Sequence, residues 1–92
     1  MRKIEGDDAE YLAWLGRHPD GFVVNTSRNP KASYLILHRA SCGTIGGKPT
    51  VRSNWTTGQY IKVCSENRAD LNQWARQNVG GSLKPCGLCR PD

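Results

Sequence analysis

Four residues of this sequence have the type and spacing of metal ligands: His38 and Cys42, then Cys86 and Cys89. They form a His-x-x-x-Cys pair near the middle of the chain and a Cys-x-x-Cys pair near its end. Zinc takes four nitrogen or sulfur donors in a tetrahedron, and two residues between cysteines let one tight turn bring both sulfurs to one ion. Gly87, inside that turn, permits close backbone approach. Three residues between His38 and Cys42 serve the same purpose where a strand leaves a sheet. The expected cofactor is therefore zinc, held by His38, Cys42, Cys86 and Cys89. Cys64 is a fifth candidate and offers a four-cysteine alternative in which it replaces His38. Disulfides among the four cysteines, or four unligated thiols, are the third reading; in a reducing cytosol cysteine pairs more often hold metal than form disulfides. A structural zinc contributes on the order of 10 kcal/mol to folding, comparable with the whole stability of a small domain.

The remaining chemistry-bearing residues form no enzyme signature. A hydrolytic zinc keeps one coordination position open, and four candidate ligands fill this one. Gly46-Gly47-Lys48 is a fragment of a phosphate loop without the longer glycine-rich pattern. Ser41 and Ser65 have no evident histidine and acid partners, and Glu66 belongs to no catalytic motif. His18, in a helix-ending segment, reads as a loop histidine.

Charge points to a partner. The chain carries a net charge of +5, and a zinc on three thiolates brings this to about +4. Acidic residues crowd the start, with Glu5, Asp7, Asp8 and Glu10, while no carboxylate lies between Asp20 and Glu66. A basic surface of this kind attracts polyanions, nucleic acid first. The candidate contacts are Arg28 and Lys31 in a turn, Arg39 beside the first ligand pair, and Lys48, Arg52 and Trp55 on a long loop. A basic loop with an exposed aromatic suits phosphate contact plus base stacking; core filling is the competing reading of Trp55. The competing partner class is a protein, or a parent chain to which a zinc module is attached.

The elements that must position these groups follow from patterning. Asp7 to Leu15 reads as a helix with Tyr11, Leu12 and Leu15 as its apolar stripe and Trp14 beside it; Gly16 and Pro19-Asp20-Gly21 end it. Phe22 to Thr26 and Tyr34 to His38 read as two strands of a hairpin around a turn at Ser27–Ala32. The second strand is apolar on both faces and so should be central. Ser41 to Gly58 is a long loop, and Gln59 to Cys64 a third strand. Ser65 is placed to cap a second helix over Glu66–Asn78, with Leu71, Trp74 and Ala75 buried. Gly80-Gly81 stops it. The expected fold is α+β: a three-stranded, mainly antiparallel sheet, two helices and a C-terminal zinc knuckle.

Ninety-two residues suffice for one domain. A core of that size is marginal without a metal or disulfides. No apolar run approaches the roughly 20 residues of a membrane helix, and the charged N-terminus lacks the apolar segment of a signal peptide. The expectation is a cytosolic domain with no membrane association.

His38-Arg39-Ala40-Ser41-Cys42, a strand and a helix, and then Lys84-Pro85-Cys86-Gly87-Leu88-Cys89 resemble the Ada-type metal-binding module, over about Leu37 to Cys89. The N-terminal helix and hairpin lie outside that pattern. The resemblance implies a zinc-bound, DNA-associated domain of the kind that accompanies bacterial DNA-repair and nuclease proteins. Methyl transfer from a DNA phosphotriester to a zinc-bound cysteine belongs to all-cysteine sites of this type. A histidine in place of one thiolate makes each sulfur a poorer nucleophile, so Cys42 as methyl acceptor is a lesser alternative to a non-enzymatic role.

Overall fold

The computed structural model describes residues 1–45 and 55–91. In chain order the elements are β1 (Arg2–Ile4), α1 (Asp8–Arg17), β2 (Phe22–Lys31), β3 (Tyr34–Arg39), β4 (Tyr60–Ser65), α2 (Arg68–Trp74) with a π-helical continuation over Ala75–Val79, and β5 (Lys84–Pro85). The class is α+β as expected, but the sheet has five strands, in the order β1-β4-β2-β3-β5. All neighbours are antiparallel except β5, which runs parallel to β3. The two additional strands are the short edges. Their three and two residues are too few to show the alternation that marks a strand in sequence.

The hairpin is longer than patterning suggests. β2 continues through Asn29 and Pro30 to Lys31, so the turn is Ala32-Ser33. The register shifts between Thr26 and Lys31, and this irregularity accommodates a proline that cannot donate to a ladder. Arg28 and Lys31 thus lie on a strand. β2 is the middle strand. β3 is interior only because β5 covers its outer edge.

Strand alternation divides the core in two. On one face Val23 and Cys64 pack with Ile4, with Tyr11 and Trp14 of α1, and with Ile45 and Trp55 of the connecting loop. On the other, Val24, Leu35, Leu37 and Val63 pack against Leu71, Trp74 and Ala75 of the C-terminal helix. The sheet is therefore covered on both faces. This explains β4, in which every residue after Tyr60 is buried.

α1 begins where Asp7 accepts the N–H of Glu10 at 3.0 Å, with Asp8 and Glu10 in its first turn and Arg17 in its last, an arrangement the helix dipole favours. Its buried residues are Tyr11 and Trp14, while Leu12 is 37% exposed. Tyr11 and Leu15 of the expected stripe thus face the core together with Trp14, and only Leu12 is turned outward. Asp8 ties the helix to the loop, accepting from the Thr56 N–H at 2.6 Å, the Thr56 hydroxyl at 2.7 Å and the Trp55 N–H at 3.2 Å. Ser65 acts before α2 rather than at its cap. Its hydroxyl accepts the Asn67 N–H and donates to Asp70, both at 3.0 Å. The helix ends at Gly80, whose φ of 78° requires glycine. Among the described residues no helix is long and apolar enough to cross a membrane.

Candidate metal centre

His38 is the penultimate residue of β3, held in register opposite Val23. The chain then turns sharply. The Ala40 N–H donates to Gly21 O at 2.9 Å and the Cys42 N–H to Arg39 O at 2.9 Å, so Cys42 swings back under the strand end. β5 delivers the second pair. The Cys86 N–H donates to Leu37 O at 2.8 Å, extending the parallel ladder by one residue into the knuckle. The Arg90 N–H closes the knuckle on Cys86 O at 3.0 Å, and Arg90 adopts a left-handed φ of 46°.

These two turns bring together all four residues singled out by spacing. The ligand atoms of His38, Cys42, Cys86 and Cys89 all lie within 4.8 Å of one another. A tetrahedral ion with bonds of about 2.0–2.3 Å needs its donors about 3.3–3.8 Å apart, so the cluster has the required scale. His38 and Cys42 are buried, and Cys86 and Cys89 are half-buried. Cys64 lies outside the cluster. Val23 of β2 pairs with both His38 and Cys64, so one strand separates them. Its thiol is fully buried, and burial pushes its pKa up to about 12 despite the nearby Lys62 charge.

The donor chemistry fits a metal. His38 Nδ1 is buried with no hydrogen-bond partner among the described residues, an unusual state for a buried polar atom that a metal bond relieves. Burial, with the charge of Lys62 second, holds the His38 pKa down to about 4, so its imidazole is neutral and able to ligate at neutral pH. Backbone N–H groups serve the sulfurs: Leu88 of the knuckle donates to Cys86 Sγ at 3.4 Å, and Arg39 at the end of β3 to Cys89 Sγ at 3.3 Å. Burial raises the Cys86 thiol, but hydrogen bonds from Cys89 and Leu88 outweigh it and leave its pKa lowered. Cys89 is raised, by burial first and by its neighbouring thiols next. This is the behaviour of sulfurs sharing one small site, where the second proton leaves beside a charge already present. A divalent cation removes that penalty.

Arg39 is built into this site. Its backbone serves Cys89 Sγ, its Nε donates to Cys89 O at 3.0 Å and its Nη2 to Arg90 O at 2.9 Å. The other basic candidates are dispersed. Arg28 pairs with Glu5 at 2.9 Å and donates to Gly58 O at 2.6 Å, near the opposite end of β2 from Arg39, about 20 Å away along the strand. Lys31 is exposed at the end of β2. Lys48 and Arg52 lie outside the described residues. Trp55 corrects the expectation of an exposed stacking ring: it is 5% exposed and packs in the core near Tyr11. Lys62, the last basic residue of the carboxylate-free stretch, is 4% exposed. Its ammonium donates to Asn25 Oδ1 at 2.8 Å and to Trp55 O at 2.7 Å.

Lys62 and Asn25 are the polar residues of this face that patterning did not single out. The signal available was that lysine sits between Ile61 and Val63 in a strand whose two faces both have helices to cover them. His18 is half-buried, stacked on Trp14 at 4.7 Å between ring centres and 3.3 Å from Glu66 Oε1. Comparison with family models, with curated proteins and with solved structures finds no match to this chain.

Proposed function

We propose that this chain is a domain organised around one structural zinc ion, bound by His38, Cys42, Cys86 and Cys89, and that it serves as a non-enzymatic, nucleic-acid-associated accessory module. The observation that carries the metal reading is the convergence of four donors within 4.8 Å from two pairs more than forty positions apart in sequence. Four protein ligands leave no open position, which favours a structural over a catalytic ion. Zinc is favoured because one imidazole and three thiolates are its ordinary donors. The nucleic-acid role is supported by the net charge of +5, by the carboxylate-free stretch and by the ligand spacing shared with the Ada-type module.

A protein-interaction role is the second reading. It is favoured by Leu88, which is 78% exposed at the tip of the knuckle, and by the engagement of Arg28 and Arg39 in internal contacts.

Mass spectrometry of the purified protein under native and denaturing conditions tests the metal. The expected result is a native mass heavier by one zinc, lost on denaturation with all four thiols reduced. A metal-free native mass lacking two or four protons means disulfides and refutes the reading. His38→Ala should abolish the zinc adduct and Cys64→Ser should keep it.

A further inference from the structure

On the sheet face that carries His38 lies a cavity of about 280 Å³. Its floor is one cross-strand row, with Asn25 of β2 between Ile36 of β3 and Lys62 of β4. Tyr34 and Tyr60 line one end, their rings edge to face with centres 5.4 Å apart. Trp55 lines the side toward α1. The volume is at the lower limit for ligand pockets, which start at about 300 Å³, so it admits a single planar ring system rather than a larger molecule.

The polar groups of the floor are fixed in orientation. An ammonium only donates, so the bond from Lys62 Nζ at 2.8 Å determines which end of the Asn25 amide is oxygen. Asn25 Nδ2 then donates to Tyr34 Oη at 3.1 Å. A primary amide has two N–H groups and two acceptor lone pairs. These bonds use one of each, so Asn25 retains one donor and one acceptor. An immobilised amide among aromatic rings is the equipment with which proteins read an unstacked base: stacking on ring faces and an amide on the hydrogen-bonding edge. A donor beside an acceptor on asparagine matches adenine best.

We propose that this cavity takes one unstacked nucleobase, adenine in preference, with Asn25 reading its edge and Tyr60 stacking on it. The inference deepens the nucleic-acid reading above and rests on it, but not on which metal is bound. The base can come from a single strand or from a free nucleotide.

The zinc-loaded full chain, labelled with nitrogen-15, is titrated with the four ribonucleoside monophosphates and with single-stranded eight-nucleotide homopolymers. Zinc content is measured on the same samples. Adenine probes should shift the Asn25 side-chain amide signals most. Tyr60→Ala, at a residue 37% exposed, should weaken binding about tenfold or more. Asn25→Asp keeps an acceptor for Lys62 and removes the N–H, so it should abolish the preference for adenine while leaving the fold intact. Tighter binding of the strand than of the monophosphate identifies single-stranded nucleic acid as the source; equal binding identifies the free nucleotide.

Unmoved Asn25 amide signals at millimolar concentrations of every probe overturn the proposal. So does binding that shifts signals elsewhere and is unchanged in both variants; the nucleic-acid reading then survives without the cavity. Base binding by a protein that never holds zinc leaves the cavity standing and overturns the metal reading.

Discussion

Removal of the proposed zinc should release residues 84–91 while leaving the rest of the sheet in place. Among the described residues the segment has few other anchors: Lys84, Pro85, Gly87 and Leu88 are exposed, and apart from the two half-buried cysteines only Pro91 is buried, and fully so. Its attachments to the body are the short β5 ladder, the Cys86 N–H to Leu37 O, the two Arg39 side-chain bonds and the Arg68 donation to Pro91 O at 2.7 Å. About six hydrogen bonds at ~1 kcal/mol each and the burial of Pro91 at about 1–2 kcal/mol supply about 7–8 kcal/mol. Ordering about eight residues costs about 8–16 kcal/mol of backbone entropy. The shortfall, up to about 9 kcal/mol, is what the proposed zinc, worth on the order of 10 kcal/mol, would make up. Hydrogen–deuterium exchange with and without a strong chelator, under reducing conditions, measures this directly. The Cys86 and Arg90 amides should lose at least a hundredfold protection, while the β2–β4 amides at Val24 and Val63 change much less. Retention of protection at Cys86 and Arg90 in metal-free, reduced protein would refute the reasoning, since the segment would then be held without an ion.

Arg39→Ala removes the donors to Cys89 O and Arg90 O but no ligand. A supporting residue of this kind should weaken zinc affinity about 10–100-fold, read by competition with a chromophoric chelator. Asp8→Asn should lower thermal stability at neutral pH by weakening the bonds to Thr56, an effect of about 1 kcal/mol. Burial raises the Asp8 pKa, but the hydrogen bonds from Thr56 and Trp55 outweigh it and depress it in the folded protein. Its contribution is therefore present above the ordinary carboxylate pKa and lost as pH falls through the lower folded value. The gap in melting temperature between wild type and Asp8→Asn should accordingly narrow from pH 6 toward pH 3. Gly21→Ala should destabilise by about 1–3 kcal/mol, measured by urea unfolding. A Cβ there would come 2.8 Å from the Trp14 ring and 3.1 Å from Ser65 O, and the backbone oxygen cannot move aside without disturbing β4.

The clustering of His38, Cys42, Cys86 and Cys89 was legible because the spacing of metal-ligand pairs is a local property. Each pair needs only a turn of fixed length, and the turn residues are written between the ligands. The three long strands and both helices were legible from apolar periodicity for a similar reason. The rest depended on tertiary context. β1 and β5 exist only because β4 and β3 offer them an unpaired edge, and neither has enough residues to signal itself. β2 runs through Asn29-Pro30 because the ladder to β4 holds it up to Ser27, overriding a strong turn signal. The nucleic-acid residues were chosen by charge, and charge does not say where a side chain is needed. Arg28 and Arg39 are engaged by carbonyl groups of the chain itself. Lys62 is drawn into the interior by Asn25 and the Trp55 carbonyl. Trp55 is buried because Tyr11 and Ile45 leave an aromatic-sized gap beside α1.

The two residues of β5 have a consequence out of proportion to their length. They cover the outer edge of β3, whose Tyr34-Leu35-Ile36-Leu37 run is apolar, rich in β-formers and free of charge. Uncovered, such an edge is a template on which a second chain can add a strand and begin an aggregate. Because β5 runs directly into the His/Cys cluster, an ion bound there as proposed would act as a guard against self-association. Chelation, or oxidation of the proposed ligand thiols, would then turn a covered edge into an adhesive one before the core itself had melted.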